Sequence, residues 1–312
     1  MDGTLLHKSI GIIGGGITGL IVGIFLAKEG HRVSIYEKNA LLSETSSKTT
    51  KLLHGGLRYL ESFHFNEVKN GLNDRSWWLR NFPKHTTKLQ ISIPFKSFFS
   101  LTLLKSFVGI KLYEILAGSK NLGTNSLYTL TKDEESTLKN EYKIFLSFFD
   151  GSMDDVSLGS ELIQSARDLN IDLFQNREVT NFDIHGMIDG CRFDKTILAV
   201  GPWSKILLEQ NNIESERDID FIKGSHLIVD RETDAGLMFS SICKSRYIFA
   251  LPYMGRTLLG TTEEKVKHPD LTEISKNEIN YLIDSYNQIL KKPITISEII
   301  SSYSGVLSLI HI

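Results

Sequence analysis

Ile10-Gly11-Ile12-Ile13-Gly14-Gly15-Gly16-Ile17-Thr18-Gly19-Leu20 lies inside a run, Ser9 to Ala27, that carries no charge over 19 residues and follows Lys8. The run is long enough to span a bilayer. Its six glycines, at 11, 14, 15, 16, 19 and 23, argue against that use, because consecutive glycines continue a helix poorly. Lys28-Glu29-Gly30-His31 follows directly. No small-residue cleavage site ends the run, so a signal peptide is not expected. The run reads better in three pieces. Ile10 to Ile13 is a short buried strand, Gly14-Gly15-Gly16 a tight turn, and Ile17 to Lys28 a helix with Leu20, Ile24 and Ala27 on one side. Gly30 ends that helix, and Arg32-Val33-Ser34-Ile35-Tyr36 alternates as a second strand. The result has the size of one βαβ crossover.

Gly14-x-Gly16-x-x-Gly19 falls where a dinucleotide fingerprint belongs. Gly14 permits the turn, Gly16 lets backbone approach a diphosphate, and Gly19 lets the helix pack against the strand. The helix N-terminus offers N–H groups and partial positive charge. Glu37 stands 18 residues after Gly19, at the end of the second strand. A carboxylate there accepts from ribose hydroxyls and repels a 2′-phosphate. NADP is disfavoured; FAD and NAD both remain. A glycine turn kept only for packing is the competing reading.

Downstream stands Thr45-Ser46-Ser47-Lys48-Thr49-Thr50-Lys51-Leu52-Leu53-His54-Gly55-Gly56-Leu57-Arg58-Tyr59-Leu60-Glu61. Hydroxyls and backbone N–H groups suit phosphate and ring oxygens. Gly55-Gly56 lets main chain lie against a flat ring, and His54, Arg58 and Tyr59 suit an anionic substrate. Composition alone also fits a solvated polar loop.

This stretch resembles the pattern T-S-S-x-x-[ST]-K-L-[IL]-H-G-G-[LV]-R-Y-L-E of FAD-dependent glycerol-3-phosphate dehydrogenases. Further matches follow in order. Asp150-Gly151-Ser152-Met153-Asp154-Asp155 fits a turn before a helix, and Ala199-Val200-Gly201-Pro202-Trp203-Ser204 resembles A-T-G-P-W-[SV]. Ile222-Lys223-Gly224-Ser225-His226 fits I-K-G-S-H, Leu259-Gly260-Thr261-Thr262-Glu263 resembles I-G-T-T-D, and Tyr303-Ser304-Gly305-Val306 opens Y-S-G-V-R-P-L. No single match is specific; the ordered set is.

The resemblance implies an α/β fold: a three-layer Rossmann-like FAD-binding domain interleaved with a mixed antiparallel-sheet substrate domain, as in D-amino-acid oxidases. The expected division is 8–80 and 150–205 for FAD, and 81–149 and 206–306 for substrate. Gly14, Gly15, Gly16, Ile17, Thr18, Gly19, Glu37 and Lys38 are expected at the ADP half of FAD. Thr45, Ser46, Ser47, Lys51 and Leu52 are expected along the diphosphate and flavin, with His54, Gly55 and Gly56 beside the ring. Val179, Gly201, Pro202 and Trp203 complete the expected cofactor contacts. Arg58, Tyr59 and Thr261 are expected to face substrate. His54 is the proton-acceptor candidate; a structural histidine that bonds its own loop is the alternative.

The implied reaction is oxidation of sn-glycerol 3-phosphate to dihydroxyacetone phosphate by hydride transfer to flavin N5, with electrons passed to a quinone. An oxidase that uses O₂ and a non-catalytic flavin-binding relative are the alternatives. The expected location is cytoplasmic, peripheral on the inner face of the membrane. Oligomeric state is not readable.

The rest of the composition narrows the class. With 35 basic and 37 acidic residues in 312, and no block of like charge, phosphate-driven nucleic-acid binding is not expected. Two cysteines, Cys191 and Cys243, make neither a disulfide framework nor a four-ligand zinc site. A reduced intracellular setting is the simpler reading. Residues 66–81 read as a helix with Val68, Leu72 and Leu79 inward, and one of the adjacent Trp77 and Trp78 at a seam. Phe95 to Leu116 reads as amphipathic, with Phe98, Phe99, Leu103, Leu104, Phe107, Ile110, Leu112 and Ile115 on its apolar face. Packing within the protein is favoured over a membrane interface for that face. Val156 to Leu169 is a helix capped by Asp154 or Asp155. Residues 171–200 read as short strands; the resemblance implies a longer stretch than Phe182 to Asp194, so a trimmed hairpin is expected there. Ile222–Val229, Tyr247–Leu251 and Thr257–Gly260 read as antiparallel strands. Ser275-Lys276-Asn277-Glu278 is a capping box.

The resemblance also implies Arg-Pro-Leu after Val306 and a later G-G-K-[LI]-T-T segment. Leu307-Ser308-Leu309-Ile310-His311-Ile312 stands instead. It is one translation of a common transposase sequencing adaptor, so 307–312 is expected to be a non-native tail. A chain of this extent is expected to hold FAD weakly and turn over slowly.

Overall fold

A computed structural model describes residues 7–129, 137–214, 219–233, 235–244 and 246–310. In chain order the elements begin β1 (Ser9–Ile13), α1 (Ile17–Lys28), β2 (Arg32–Tyr36), β3 (Leu52–Leu53), α2 (Phe65–Asn81), β4 (Thr86–Phe95) and α3 (Leu101–Ala117). Next come β5 (Ser126–Thr129), β6 (Ile144–Met153), α4 (Asp155–Asp168), β7 (Asp172–Phe174), β8 (Met187–Ile188), β9 (Cys191–Arg192) and β10 (Lys195–Leu198). The chain continues with α5 (Ser204–Gln210), β11 (Ile219–Val229), β12 (Gly236–Ser240), β13 (Tyr247–Tyr253), β14 (Arg256–Gly260), β15 (Glu264–Val266), α6 (Lys276–Asn287) and β16 (Ile299–Ile310).

β10, β1, β2 and β7 form a four-stranded parallel sheet in that order. Ile10 and Ile12 point to the helical side, where Leu20 and Ile24 of α1 meet Leu158, Leu162 and Ala166 of α4. Burying each such side chain contributes roughly 1.5–3 kcal/mol. Ile13 points the other way and joins Tyr36, Val179, Ile188 and Phe193 beneath the β8–β9 ribbon. These are three layers: helices, sheet and ribbon. The ribbon lies within the stretch Phe182 to Asp194.

The second sheet runs β15-β11-β14-β13-β12-β4-β6-β3, with β5 beside β6. β16 covers one edge of β11 along its whole length, so β14 and β15 share the other. Its pairs are antiparallel except β12 with β4. α6 packs Leu282, Ile283 and Tyr286 on one face, over Leu227, Ile248 and Leu259. α3 packs Leu103 and Ile110 on the other, over Ile91, Leu146 and Leu258. β16 carries on through Leu307 and Leu309, opposite Ile222 and Asp220. His311 and Ile312 lie outside the described residues.

Two expectations change, and an open choice between Asp154 and Asp155 is resolved. Asp150 to Met153 is the end of β6 and not a turn. Asp154 alone caps α4, accepting from Ser157 N, which frees Asp155 for an ion pair. The stretch from Phe95 to Leu116 is not one amphipathic face. Phe95 ends β4, and the apolar residues beyond it divide. Leu103, Ile110 and Tyr113 are buried, whereas Phe98, Phe99, Leu104, Val108 and Ile115 are exposed. The reason is supply: the stretch holds more large apolar residues than one helical stripe can bury. Trp78 is the seam residue, packing α2 against the α1–α4 layer.

The capping box closes over a buried cluster. Glu278 accepts from Ser225 Oγ at 2.7 Å and Thr262 Oγ1 at 2.9 Å, and pairs with Lys223 at 2.9 Å. Burial pushes this carboxyl up, but hydrogen bonds from Ser225, the Ser275 amide, Lys223 and Thr262 outweigh it and hold the pKa down to about 2. A folded pKa below the unfolded value means stability present above about pH 4.3 and lost as pH falls through 2. Glu278→Gln is therefore expected to lower the urea midpoint at neutral pH and to flatten its decline between about pH 5 and 2. An unchanged acid limb in the variant would refute this assignment.

Candidate active site

The N-terminus of α1 sits at the carboxyl ends of β1 and β10. Gly14 adopts φ +107°, and a β-carbon there would lie 2.4 Å from the Ala199 carbonyl oxygen. A β-carbon on Gly19 would lie 1.9 Å from the Gly14 oxygen. Both positions therefore require glycine. At Gly16 the nearest obstacle is Ser46 Oγ at 3.1 Å, so this backbone faces a shallower contact. No side chain caps Gly16 and no acid stands in the first turn of α1. Ile17 N donates to Ser46 Oγ at 2.9 Å; Thr18 and Gly19, in the same turn, have no carbonyl partner within the helix. The cradle fits a diphosphate.

Glu37 is buried at the end of β2 and accepts from Gly15 N at 2.8 Å and Asn39 N at 2.9 Å. Val179 packs on Ile13 and Tyr36 at the same strand ends. Gly201 has φ +54° with open space around its missing side chain. Pro202 is buried. Lys38 lies 4.2 Å over the Trp203 ring, and Trp203 Nε1 donates to Asp270 at 2.7 Å. These residues thus stand at and beyond the carboxyl ends of the parallel strands, with Glu37 tied to Gly15 and Lys38 to Trp203.

Residues 45–58 lead from the start of α1 to the large sheet. Thr45 Oγ1 donates to the Val306 carbonyl at 2.9 Å, and Tyr303 OH to the Thr49 carbonyl at 2.7 Å. Ser47 spends its hydroxyl on Ser43 and Glu44 carbonyls of its own turn. Lys51 differs from the expectation of a cation lining phosphate. It is buried, and its ammonium is held by Asp155 and the Ser47 carbonyl. Leu52 is buried in the pairing of β3 with β6. His54 is exposed, and Gly55 and Gly56 after it are buried. Gly56 needs its residue type for φ +77°. Gly55 needs it for a reason other than a flat ring: a β-carbon there would meet Tyr113 OH at 2.4 Å and Leu72 at 2.5 Å.

Arg58 and Tyr59 are exposed. Arg58 Nη1 lies 3.8 Å from Glu263 Oε2, and Arg246 Nη1 lies 2.9 Å from the same oxygen. Two guanidinium groups thus share one carboxylate, two residues along from Thr261. Arg246 is largely buried, and its Nε has no hydrogen-bond partner. Burial lowers its pKa first of all, with Arg58 also pressing downward and Glu263 opposing. Thr261 Oγ1 occupies the space that a side chain at Gly224 would take.

Sequence reasoning missed several groups. His226 is buried, stacks on Tyr303 at 4.9 Å, and places Nε2 2.9 Å from Thr50 Oγ1. Burial, then the Lys51 and Arg246 charges, push it down to about 3, so it is neutral at pH 7. Arg75 and Asp150 pair at 2.8 Å inside the protein. The signal for Arg75 was present: it falls on the stripe of Val68 and Leu72, where a charge is out of place unless paired. Arg246 had no local signal.

The sequence matches the family described as FAD dependent oxidoreductase over residues 9–311. Among curated proteins it is 29% identical to glycerol-3-phosphate dehydrogenase of Synechocystis sp., over 95% of this chain and 59% of that one. It is 30% identical to that of Pseudomonas tolaasii, over 95% and 60%. The aerobic glycerol-3-phosphate dehydrogenase of Bacillus subtilis is 28% identical, over 96% and 58%. The chain thus spans about 60% of the length of these relatives. Among solved structures, glycerol-3-phosphate dehydrogenase of Bacillus halodurans complexed with FAD superposes with TM-score 0.74 at 22% identity, covering 99% of this chain and 58% of that one. L-alpha-glycerophosphate oxidase of Mycoplasma pneumoniae with FAD bound gives 0.77 at 18%, covering 97% and 84%. A glycine cradle at the mouth of α1, a layered parallel sheet beneath it and a family match along almost the whole sequence agree: the chain belongs to the FAD-dependent oxidoreductase family.

Proposed function

We propose that this chain carries the FAD- and substrate-handling elements of a glycerol-3-phosphate dehydrogenase, oxidising sn-glycerol 3-phosphate to dihydroxyacetone phosphate. One observation carries the reading. The segment that starts at the diphosphate cradle, with Ser46 on Ile17 N, ends at a corner where Arg58 and Arg246 share Glu263. Cofactor cradle and anion corner are two ends of one stretch of backbone. The dehydrogenase names of the curated relatives support it.

The first-turn N–H groups of α1 hold the FAD diphosphate, and the Glu37 carboxylate stands at the ribose end. FAD, when bound, supplies the acceptor for the hydride of the substrate carbinol. Arg58 binds the substrate phosphate through paired N–H donors, with Tyr59 and Thr261 beside it. Arg246 adds a second, partly desolvated cation, stronger for being out of water. His54, exposed beside the buried Gly55-Gly56 pair, takes the hydroxyl proton. Residues 8–80 with 150–205 make the FAD-binding unit, and 81–149 with 206–306 the substrate unit. The four parallel strands all fall in the first and α6 in the second; β3 crosses to the large sheet.

The electron acceptor is a quinone, and the protein works on the inner face of the cytoplasmic membrane. No described helix is long and apolar enough to cross a bilayer. Support for peripheral contact comes from α3, whose outer face shows Leu101, Leu104, Val108 and Ile115 at helical spacing, with Phe98 and Phe99 just before it. Lys105 and Lys111 flank that stripe, the arrangement of an interfacial helix. The oxidase reading draws on the Mycoplasma pneumoniae fold match alone; stoichiometric peroxide with no quinone reduction would establish it.

Gly16→Asp is expected to weaken FAD binding by about tenfold or more while leaving the far-ultraviolet spectrum unchanged, because it sets a negative charge at the helix mouth. Fluorescence titration with FAD measures it, and unaltered affinity counts against the cradle. Arg58→Gln is expected to raise KM for glycerol 3-phosphate by about 10- to 100-fold, the loss of a charged hydrogen bond. Equal effects on glycerol and on glycerol 3-phosphate would deny Arg58 a phosphate role. Joint Leu104→Asp and Val108→Asp changes are expected to abolish sedimentation with anionic phospholipid vesicles without loss of helix content. Retained sedimentation moves the membrane contact elsewhere.

A further inference from the structure

Behind the His54–Gly56 turn lies a buried polar knot that hydrophobic packing does not call for. Asp150 on β6 is fully enclosed, and so are Arg75 on α2 and Tyr113 on α3. Arg75 Nη1 donates to Asp150 Oδ1 at 2.8 Å, and Tyr113 OH donates to the same oxygen at 2.9 Å. The Gly55 amide donates to Tyr113 OH at 2.6 Å. The backbone of α2 also comes close, since a β-carbon on Gly71 would sit 3.1 Å from Gly55. Three elements from distant parts of the chain therefore converge on one amide.

A buried ion pair is often no better for stability than well-packed apolar residues, because both charges lose their water. Its presence behind a functional turn needs another account. Tyr113 OH receives from Gly55 while giving to Asp150, and the carboxylate polarises that chain and strengthens the Gly55 bond. Arg75 compensates the Asp150 charge. Gly55 is held from behind, so the residue before it, His54, can project into solvent from a fixed backbone.

We infer that Tyr113 and Asp150 are positioning residues, which clamp the Gly55 amide and thereby set where His54 stands. The role of His54 rests on the function proposed above; the clamp itself does not. Asp150→Asn leaves Arg75 buried without its counter-ion and threatens folding. Tyr113→Phe removes only the hydroxyl. The control is Tyr286→Phe, an equally buried tyrosine on α6, in a core cluster that holds none of residues 53–60.

Hydrogen–deuterium exchange of the FAD-loaded protein is the first readout. Tyr113→Phe is expected to speed exchange in peptides covering 53–60 by about tenfold or more, with β11 and α6 unchanged; Tyr286→Phe leaves 53–60 as in the parent. The second is anaerobic flavin reduction by glycerol 3-phosphate: the rate is expected to fall by about tenfold or more with substrate affinity within about twofold. Unaltered exchange at 53–60, or the same loosening in the Tyr286 control, overturns the clamp. Loosened exchange with an unchanged reduction rate overturns its link to His54. Failure of glycerol 3-phosphate to reduce the flavin in the parent protein would instead overturn the proposed substrate, and the exchange result would still decide the clamp.

Discussion

Everything at this site depends on how closely α1 starts against the crossing of β1 and β10. Gly19 lies where any side chain would strike the Gly14 carbonyl, and Gly14 lies where any side chain would strike Ala199. That contact aims the helix axis at the ends of the parallel strands. The dipole and the first-turn N–H groups then point into a crevice already formed by the sheet. A helix displaced by the width of one methyl group would still be a helix. It would no longer carry the backbone of Gly16 to the ends of β1 and β10.

From that fixed point the chain runs outward, and each stage of residues 45–60 is tied to a different part of the fold. Ser46 meets α1, Thr45 and Thr49 meet β16, Thr50 meets His226 of β11, and Gly55 meets α3. The regular structure in this segment comes in short pieces: 3-10 turns at Thr45–Ser47 and Leu57–Leu60, and β3. Its backbone polar groups need partners all the same: Tyr303 and Tyr113 hydroxyls serve the Thr49 carbonyl and the Gly55 amide, while Thr45, Ser46 and Thr50 reach out with their own hydroxyls. A polar, hydroxyl-rich stretch is therefore held in place although its strand and its 3-10 turns are only two to four residues long.

The charges follow a consistent rule. Lys51, Arg75 and Lys223 are buried, and each has a carboxylate within ion-pair distance: Asp155, Asp150 and Glu278. Arg58 stays in water, and Arg246 shares Glu263 with it. The first group resists exchange for any ligand because leaving would strand a buried charge. The second group holds its counter-ion loosely at one end. Only the second is suited to exchanging a carboxylate for a phosphate.

The local elements were legible from residues alone. The bounds of α1 and β2 follow from a glycine triplet, an apolar period and Gly30, all of which act within a few residues. The capping box at Ser275 was legible for the same reason. The partners of the buried charges were not. Lys51 and Asp155 stand 104 positions apart, and Arg75 and Asp150 stand 75 apart. Nor did periodicity tell which apolar residues of α3 would be covered, since a stripe shows that a face is apolar and not that anything lies against it. Backbone hydrogen bonding and side-chain period are short-range and are written in consecutive residues. Burial of charge, the reason for Gly55 and the union of Arg58 with Arg246 arise only when distant strands and helices close around the same few atoms.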